Sequence, residues 1–139
     1  MTEVQTCALP IFLSKFTHNP DPYHALEYAS SVIGGRWPEA EPHILKDMYT
    51  SIDYAEICIR GRWAALEHKL LKQYTQDPSG AWDLTIAYLD KVIKTRWQGL
   101  EKILLEEFKD HDRQNNLLQY FRSYIKGRWP EYEKILLSK

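Results

Sequence analysis

Arginine stands directly before tryptophan at Arg36-Trp37, Arg62-Trp63, Arg96-Trp97 and Arg128-Trp129, and a glutamate follows each tryptophan by four residues, at Glu41, Glu67, Glu101 and Glu133. Two chemistries suit that pattern. A ladder of guanidinium groups can take phosphates, or each guanidinium can close on a neighbouring carboxylate as a forked ion pair. A glutamate recurring with every arginine neutralises the ladder at each rung, which favours the internal pair. Other reactive types lack the company that chemistry needs. Ser123-Tyr124-Ile125-Lys126 spells serine, two residues and lysine, but the remaining parts of a lactamase-like site are missing. His18, His24, His43, His68 and His111 are scattered, without the helical pair plus carboxylate of a zinc site, and no glycine-rich phosphate loop occurs. His43 and His68 lie next to each other in register and are expected along a solvent edge. No catalytic residue, cofactor or metal ligand is assigned.

The elements that must position these residues follow from the rest of the recurrence. Tyr28, Tyr54, Tyr88 and Tyr120 each precede their tryptophan by nine residues, and Ile33, Ile59, Ile93 and Ile125 fall between. Gly35, Gly61, Thr95 and Gly127 come just before the arginine. Apolar doublets such as Ile44-Leu45 and Leu104-Leu105 follow the glutamate. The tryptophans are 26, 34 and 32 residues apart, a period typical of solenoid repeats.

Local chemistry makes each unit a helix, a tight turn and a second helix. Leu84, Tyr88 and Val92 keep helical spacing, with Ile86, Leu89 and Ile93 beside them, so the first helix is apolar over a wide arc. The recurrent glycine would stop it in a left-handed conformation, and the Thr95 copy would have the least regular turn. Pro38 and Pro130 suit the first position of the second helix, and Glu39, Glu41, Glu131 and Glu133 favour its positive end. Ala64 and Gln98 replace that proline, leaving those starts less defined. The tryptophan at the elbow is expected to be buried. Asp21-Pro22 would cap the first full helix. Gln76–Gly80 reads as the clearest loop, with polar connectors at Lys46–Ser51 and Lys109–Arg113. The fold class is all-α, a solenoid-like stack of four helix-turn-helix repeats at about 18–46, 47–73, 79–109 and 112–139.

Composition limits what such a stack could do. The chain has 139 residues, 44% of them hydrophobic and 13% aromatic, enough for one core or one continuous stack. A net charge of −1 gives no global pull toward nucleic acid or anionic membrane. No apolar run approaches the roughly 20 residues that span a bilayer. Val4–Ile11, VQTCALPI, resembles the translated end of a short-read sequencing adapter. Residues 1–12 are accordingly expected to be a non-native tail, and 13–139 the repeat domain. Cys58, between Ile57 and Ile59, then stands alone as a buried thiol. Ile11–Phe16 matches the close of a unit at Ile103–Phe108, and the chain is read as a fragment of a longer array.

Tyr28–Glu41, YASSVIGGRWPEAE, resembles the short helical repeat arrays of bacteriophage and metagenomic proteins, and the likeness runs from about Leu13 to Lys139. It implies a repeat fold and a cytoplasmic protein of phage or bacterial origin, with no established activity. A non-catalytic scaffold for an unknown protein partner is the function expected. The variable positions Ser30-Ser31, Glu56-Ile57, Asp90-Lys91 and Arg122-Ser123 would form its recognition or solvent face. The alternative is nucleic-acid binding through Lys94, Arg96, Lys126 and Arg128. Self-association through exposed repeat ends is a further expectation, and membrane is not a partner.

Overall fold

The computed structural model describes residues 21–111 and 113–138, and every regular element among them is helical. In chain order these are α1 (Pro22–Tyr28), α2 (Glu41–Ile44), α3 (Met48–Tyr54), α4 (Ala64–Gln76), α5 (Pro78–Tyr88), α6 (Gln98–His111), α7 (Asn115–Tyr124) and α8 (Pro130–Ser138). The adapter-like tail and the Ile11–Phe16 match lie outside the described residues.

The chain divides into two compact units, Met1–His68 and Lys69–Lys139. In the first, α1 packs on α2 and α3. Ala25, Ala29 and Ala55 have no exposed surface, and their small side chains let these helices approach closely around Ile44 and Ile52. In the second, α6 packs on α7 and α8 over a core that includes Leu100, Leu104, Phe108 and Leu117. Trp82 of α5 donates its indole N–H to Gln119 of α7 at 2.9 Å. Tyr74 donates to Glu107 at 2.6 Å and accepts from Asn116 at 3.1 Å.

Capping chemistry sets most helix starts. Asp21 accepts from the Tyr23 amide at 2.9 Å, and Pro22 occupies the first turn of α1. Asp77 and Pro78 repeat the arrangement, with Asp77 accepting from the Gly80 amide at 3.1 Å. The expected loop at Gln76–Gly80 therefore shrinks to Asp77 alone. Pro78, Ser79 and Gly80 already belong to α5. Connectors elsewhere shorten for related reasons. Ser51 donates to the carbonyls of Ile44 and Asp47, both at 2.8 Å, so α3 begins at Met48 inside the expected Lys46–Ser51 connector. The helix α6 likewise runs on through His111.

The second helix of the first copy does not start as a regular α-helix at Pro38. Residues Pro38–Ala40 form a tighter 3₁₀ turn that hands over to α2. Pro42 has no amide hydrogen to reach back to the Pro38 carbonyl, so the first α-helical bond is missing there. Helices start cleanly at Ala64 and Gln98, where proline is absent.

The elbow glycine is the main correction. In the first three copies the left-handed residue sits one place earlier, at Gly34 (φ 79°), Arg60 (φ 61°) and Lys94 (φ 61°). The helix before it widens into a π turn. Its amides reach five residues back, from Gly34 to Ala29 at 2.8 Å, Arg60 to Ala55 at 2.7 Å and Lys94 to Leu89 at 2.6 Å. Gly35 and Gly61 are outside the left-handed region and have open space where a Cβ would stand. Thr95 can therefore replace them without disturbing the turn. The irregular elbow is the fourth: α7 ends at Tyr124 without a π turn, Ile125 is extended, and the positive φ moves to Gly127 (φ 99°).

Candidate functional site: the arginine-tryptophan elbow

A π turn with its left-handed residue in the first three copies, and Gly127 in the fourth, reverse the chain just before the arginine, and the next helix begins just after the tryptophan. Arginine and glutamate are thereby held five residues apart on either side of that start. The fork that results is the same in all four copies. Arg36 meets Glu41 through Nε at 2.9 Å and Nη2 at 2.8 Å, and Arg62 meets Glu67 at 2.8 and 2.7 Å. The Arg96–Glu101 distances are 2.8 and 2.6 Å, and those of Arg128–Glu133 are 3.0 and 2.5 Å. Such bidentate geometry fixes both side chains as well as joining their charges.

Tyrosine adds a second layer. Within each copy its ring packs against the tryptophan nine residues on, with centroids 5.0 Å apart for Tyr28–Trp37, 5.2 Å for Tyr54–Trp63, 5.5 Å for Tyr88–Trp97 and 6.0 Å for Tyr120–Trp129. All eight rings are buried, and tilted pairs of this kind add about 0.5–1.5 kcal/mol beyond their burial. In the second and fourth copies the hydroxyl then reaches the preceding copy. Tyr54 accepts from the Trp37 amide at 2.7 Å and donates to Glu41 at 2.7 Å. Tyr120 does the same with the Trp97 amide at 2.8 Å and Glu101 at 2.5 Å. One phenol thus satisfies a buried main-chain donor and a carboxylate at once.

The electrostatics follow from this network. Burial pushes the Glu41 carboxyl up, but the Arg36 fork and the Tyr54 hydroxyl outweigh it and hold the group below the usual range. Arg128 does the same for Glu133, against a weaker burial effect. Tyr54 and Tyr120 are pushed up by burial and by their carboxylate partners. Both stay neutral donors at any ordinary pH.

Sequence reasoning grouped tyrosine, arginine, tryptophan and glutamate by recurrence but missed the hydroxyl's part. A signal was there: this column holds tyrosine in every copy, although phenylalanine serves elsewhere at Phe108 and Phe121. Packing alone would accept either ring.

Other candidates are placed as follows. Lys94, Arg96 and Lys126 line one open hollow of about 300 Å³ together with Thr95, Ser123 and Tyr124. Arg96 is already forked to Glu101, and Arg128 lies outside that lining. Tyr124 donates to Asp90 beside it. Ser123 is exposed on α7, while Lys126 lies beyond that helix's end. A larger polar hollow, about 600 Å³, is bordered by Tyr74, Glu107, Arg113 and Asn116. Cys58 is a buried free thiol raised by that burial. His68 is exposed and His43 is half-buried. Among the described residues no cluster of histidine, cysteine and carboxylate could hold a metal ion. None of their helices is long and apolar enough to cross a membrane. No protein-family model matches this sequence, nor does a curated protein or a solved structure.

Proposed function

We propose that the chain is a non-catalytic scaffold, a solenoid-like stack of four helix-turn-helix repeats that presents a protein-binding surface. The observation that carries this reading is where the recurrent polar groups are spent. Arginine, glutamate and tyrosine, the residues best suited to chemistry, are spent on one another at the elbows: the arginines reach solvent but are forked to glutamate, and the buried phenols of Tyr54 and Tyr120 close on Glu41 and Glu101. The positions that vary between copies face outward: Ser31, Glu56, Ile57, Asp90, Lys91, Arg122 and Ser123 are exposed, and Ser30 is half-buried. Constant elbows bonded within themselves and a variable exterior are the division of labour of a repeat scaffold. The same phenol joint in both compact units supports stacking by one rule. Resemblance to phage and metagenomic arrays supports a bacterial cytoplasmic setting.

Nucleic-acid binding is the second reading, favoured by the hollow that gathers Lys94, Arg96 and Lys126. A gel-shift titration with DNA and RNA at two salt concentrations separates the two. The scaffold leaves both unshifted. A shift that fades steeply with salt, and is lost in Lys94→Glu with Lys126→Glu, overturns it. On the scaffold reading, a partner retained by the immobilised chain is released by Ile57→Glu or Arg122→Glu while circular dichroism stays the same.

A further inference from the structure

The fourth elbow has every part of the joint except the tyrosine. Arg128 and Glu133 make the same fork as Arg96 and Glu101, yet the Glu133 side chain is 33% exposed against 8% for Glu101, and Arg128 85% against 41% for Arg96. Among the described residues no hydroxyl donates to Glu133, and the Trp129 amide meets no acceptor of the kind Tyr120 offers Trp97. The apolar position seven residues after the tryptophan follows suit. Ile44, Leu70 and Leu104 are buried there, while Leu136 is 46% exposed and its neighbour Leu137 89%. The Glu133 carboxylate and the two leucines stand uncovered on one elbow and the helix it starts, and the buried Trp129 amide lacks the phenol acceptor.

We infer that this face is a docking site for one more helix-turn-helix unit of the same repeat, whose first helix enters with a tyrosine. The occupant is identified by the joints already filled. At Glu41 and at Glu101 the group that covers the fork is a phenol that donates to the carboxylate and accepts from the tryptophan amide, carried on a helix with apolar neighbours. A helix with phenylalanine at that place would cover the leucines and leave both polar groups unsatisfied. The inference rests on the stacked-repeat reading and adds the chemistry of the incoming unit.

The test lengthens the full chain by repeating Phe108–Lys139 directly after Lys139, which keeps the register because Lys139 aligns with Glu107. Hydrogen exchange is compared in the natural and the lengthened chain. Amides of α8 (Pro130–Ser138) should gain at least tenfold protection on lengthening. Tyr120→Phe made only in the added copy, or Glu133→Gln, should abolish most of that gain. An added segment that exchanges as an unfolded tail, or a gain untouched by both substitutions, overturns the inference. Tyr120→Phe in the natural chain keeps the two readings apart. If it destabilises the fold while the added unit stays unfolded, stacking stands and only the docking inference falls.

Discussion

Glu101 and Glu133 occupy the same place in successive copies and accept the same fork, but Glu101 is sealed under Tyr120 while Glu133 has solvent over it. The difference separates two levels of coding. The fork is local: five residues, one turn and one helix start suffice, and it forms whether or not anything lies above. The seal is not local, because it needs a phenol nineteen residues away at Glu101 and thirteen away at Glu41. A forked pair near water contributes little, whereas under the seal removing the carboxylate or the phenol leaves buried polar groups without their partner.

Breaking the seal should give the largest effect. Glu101→Ala removes the acceptor of both Arg96 and Tyr120 in a buried setting and is expected to cost about 3 kcal/mol. Glu133→Ala in the unmodified chain should leave the urea midpoint nearly unchanged. Equal losses from the two would erase the distinction between fork and seal. Tyr120→Phe is next, at about 2 kcal/mol for one stranded main-chain donor and one lost charge-assisted bond. Tyr54→Phe should behave alike around Glu41. Double-mutant cycles pairing Tyr120→Phe with Glu101→Gln should show strong coupling, which pairing Tyr120→Phe with Glu133→Gln should lack.

Acidity sharpens the same comparison. Glu41 sits below the ordinary carboxylate value in the folded chain, so its contribution is fully present above that ordinary value, near 4.5, and is lost as pH falls through the depressed one. Urea unfolding between pH 6 and 3 should therefore weaken on acidification, and Glu41→Gln should flatten part of that slope. Smaller effects belong to the caps and turns. A Cβ at Gly80 would meet Asp77 Oδ2 at 2.1 Å, so Gly80→Ala should disturb the α5 cap and cost about 1 kcal/mol. Arg60→Gly relieves a left-handed side-chain residue where the first copy already has Gly34, and should raise stability by about 1 kcal/mol. Gly61→Ala, at an open position that Thr95 fills in another copy, should add about 0.4–1 kcal/mol. Thermal melts read all three.

Helix type and the fork were legible in the sequence because both are short-range. The spacing of Leu84, Tyr88 and Val92 announces a helix, and the arginine-to-glutamate distance is fixed within each copy. Turn details were less so. Glycine at position 61 advertises a left-handed residue, but the π turn widens the helix and moves that conformation onto Arg60, which composition does not foretell. At Asp77-Pro78 the cap chemistry recognised at Asp21-Pro22 was present and went unread, because a proline, serine and glycine in a row look like a loop. The phenol joint stayed hidden for another reason: its partners come from two copies, and recurrence within a copy does not say which neighbour answers.

That joint has a direction. In both joints the later copy brings the phenol and the earlier one the elbow, so two identical surfaces can never satisfy it across a two-fold axis. Any assembly made through this contact must be heterologous, each chain meeting the next nose to tail, which yields rings where the rotation closes and open filaments where it does not.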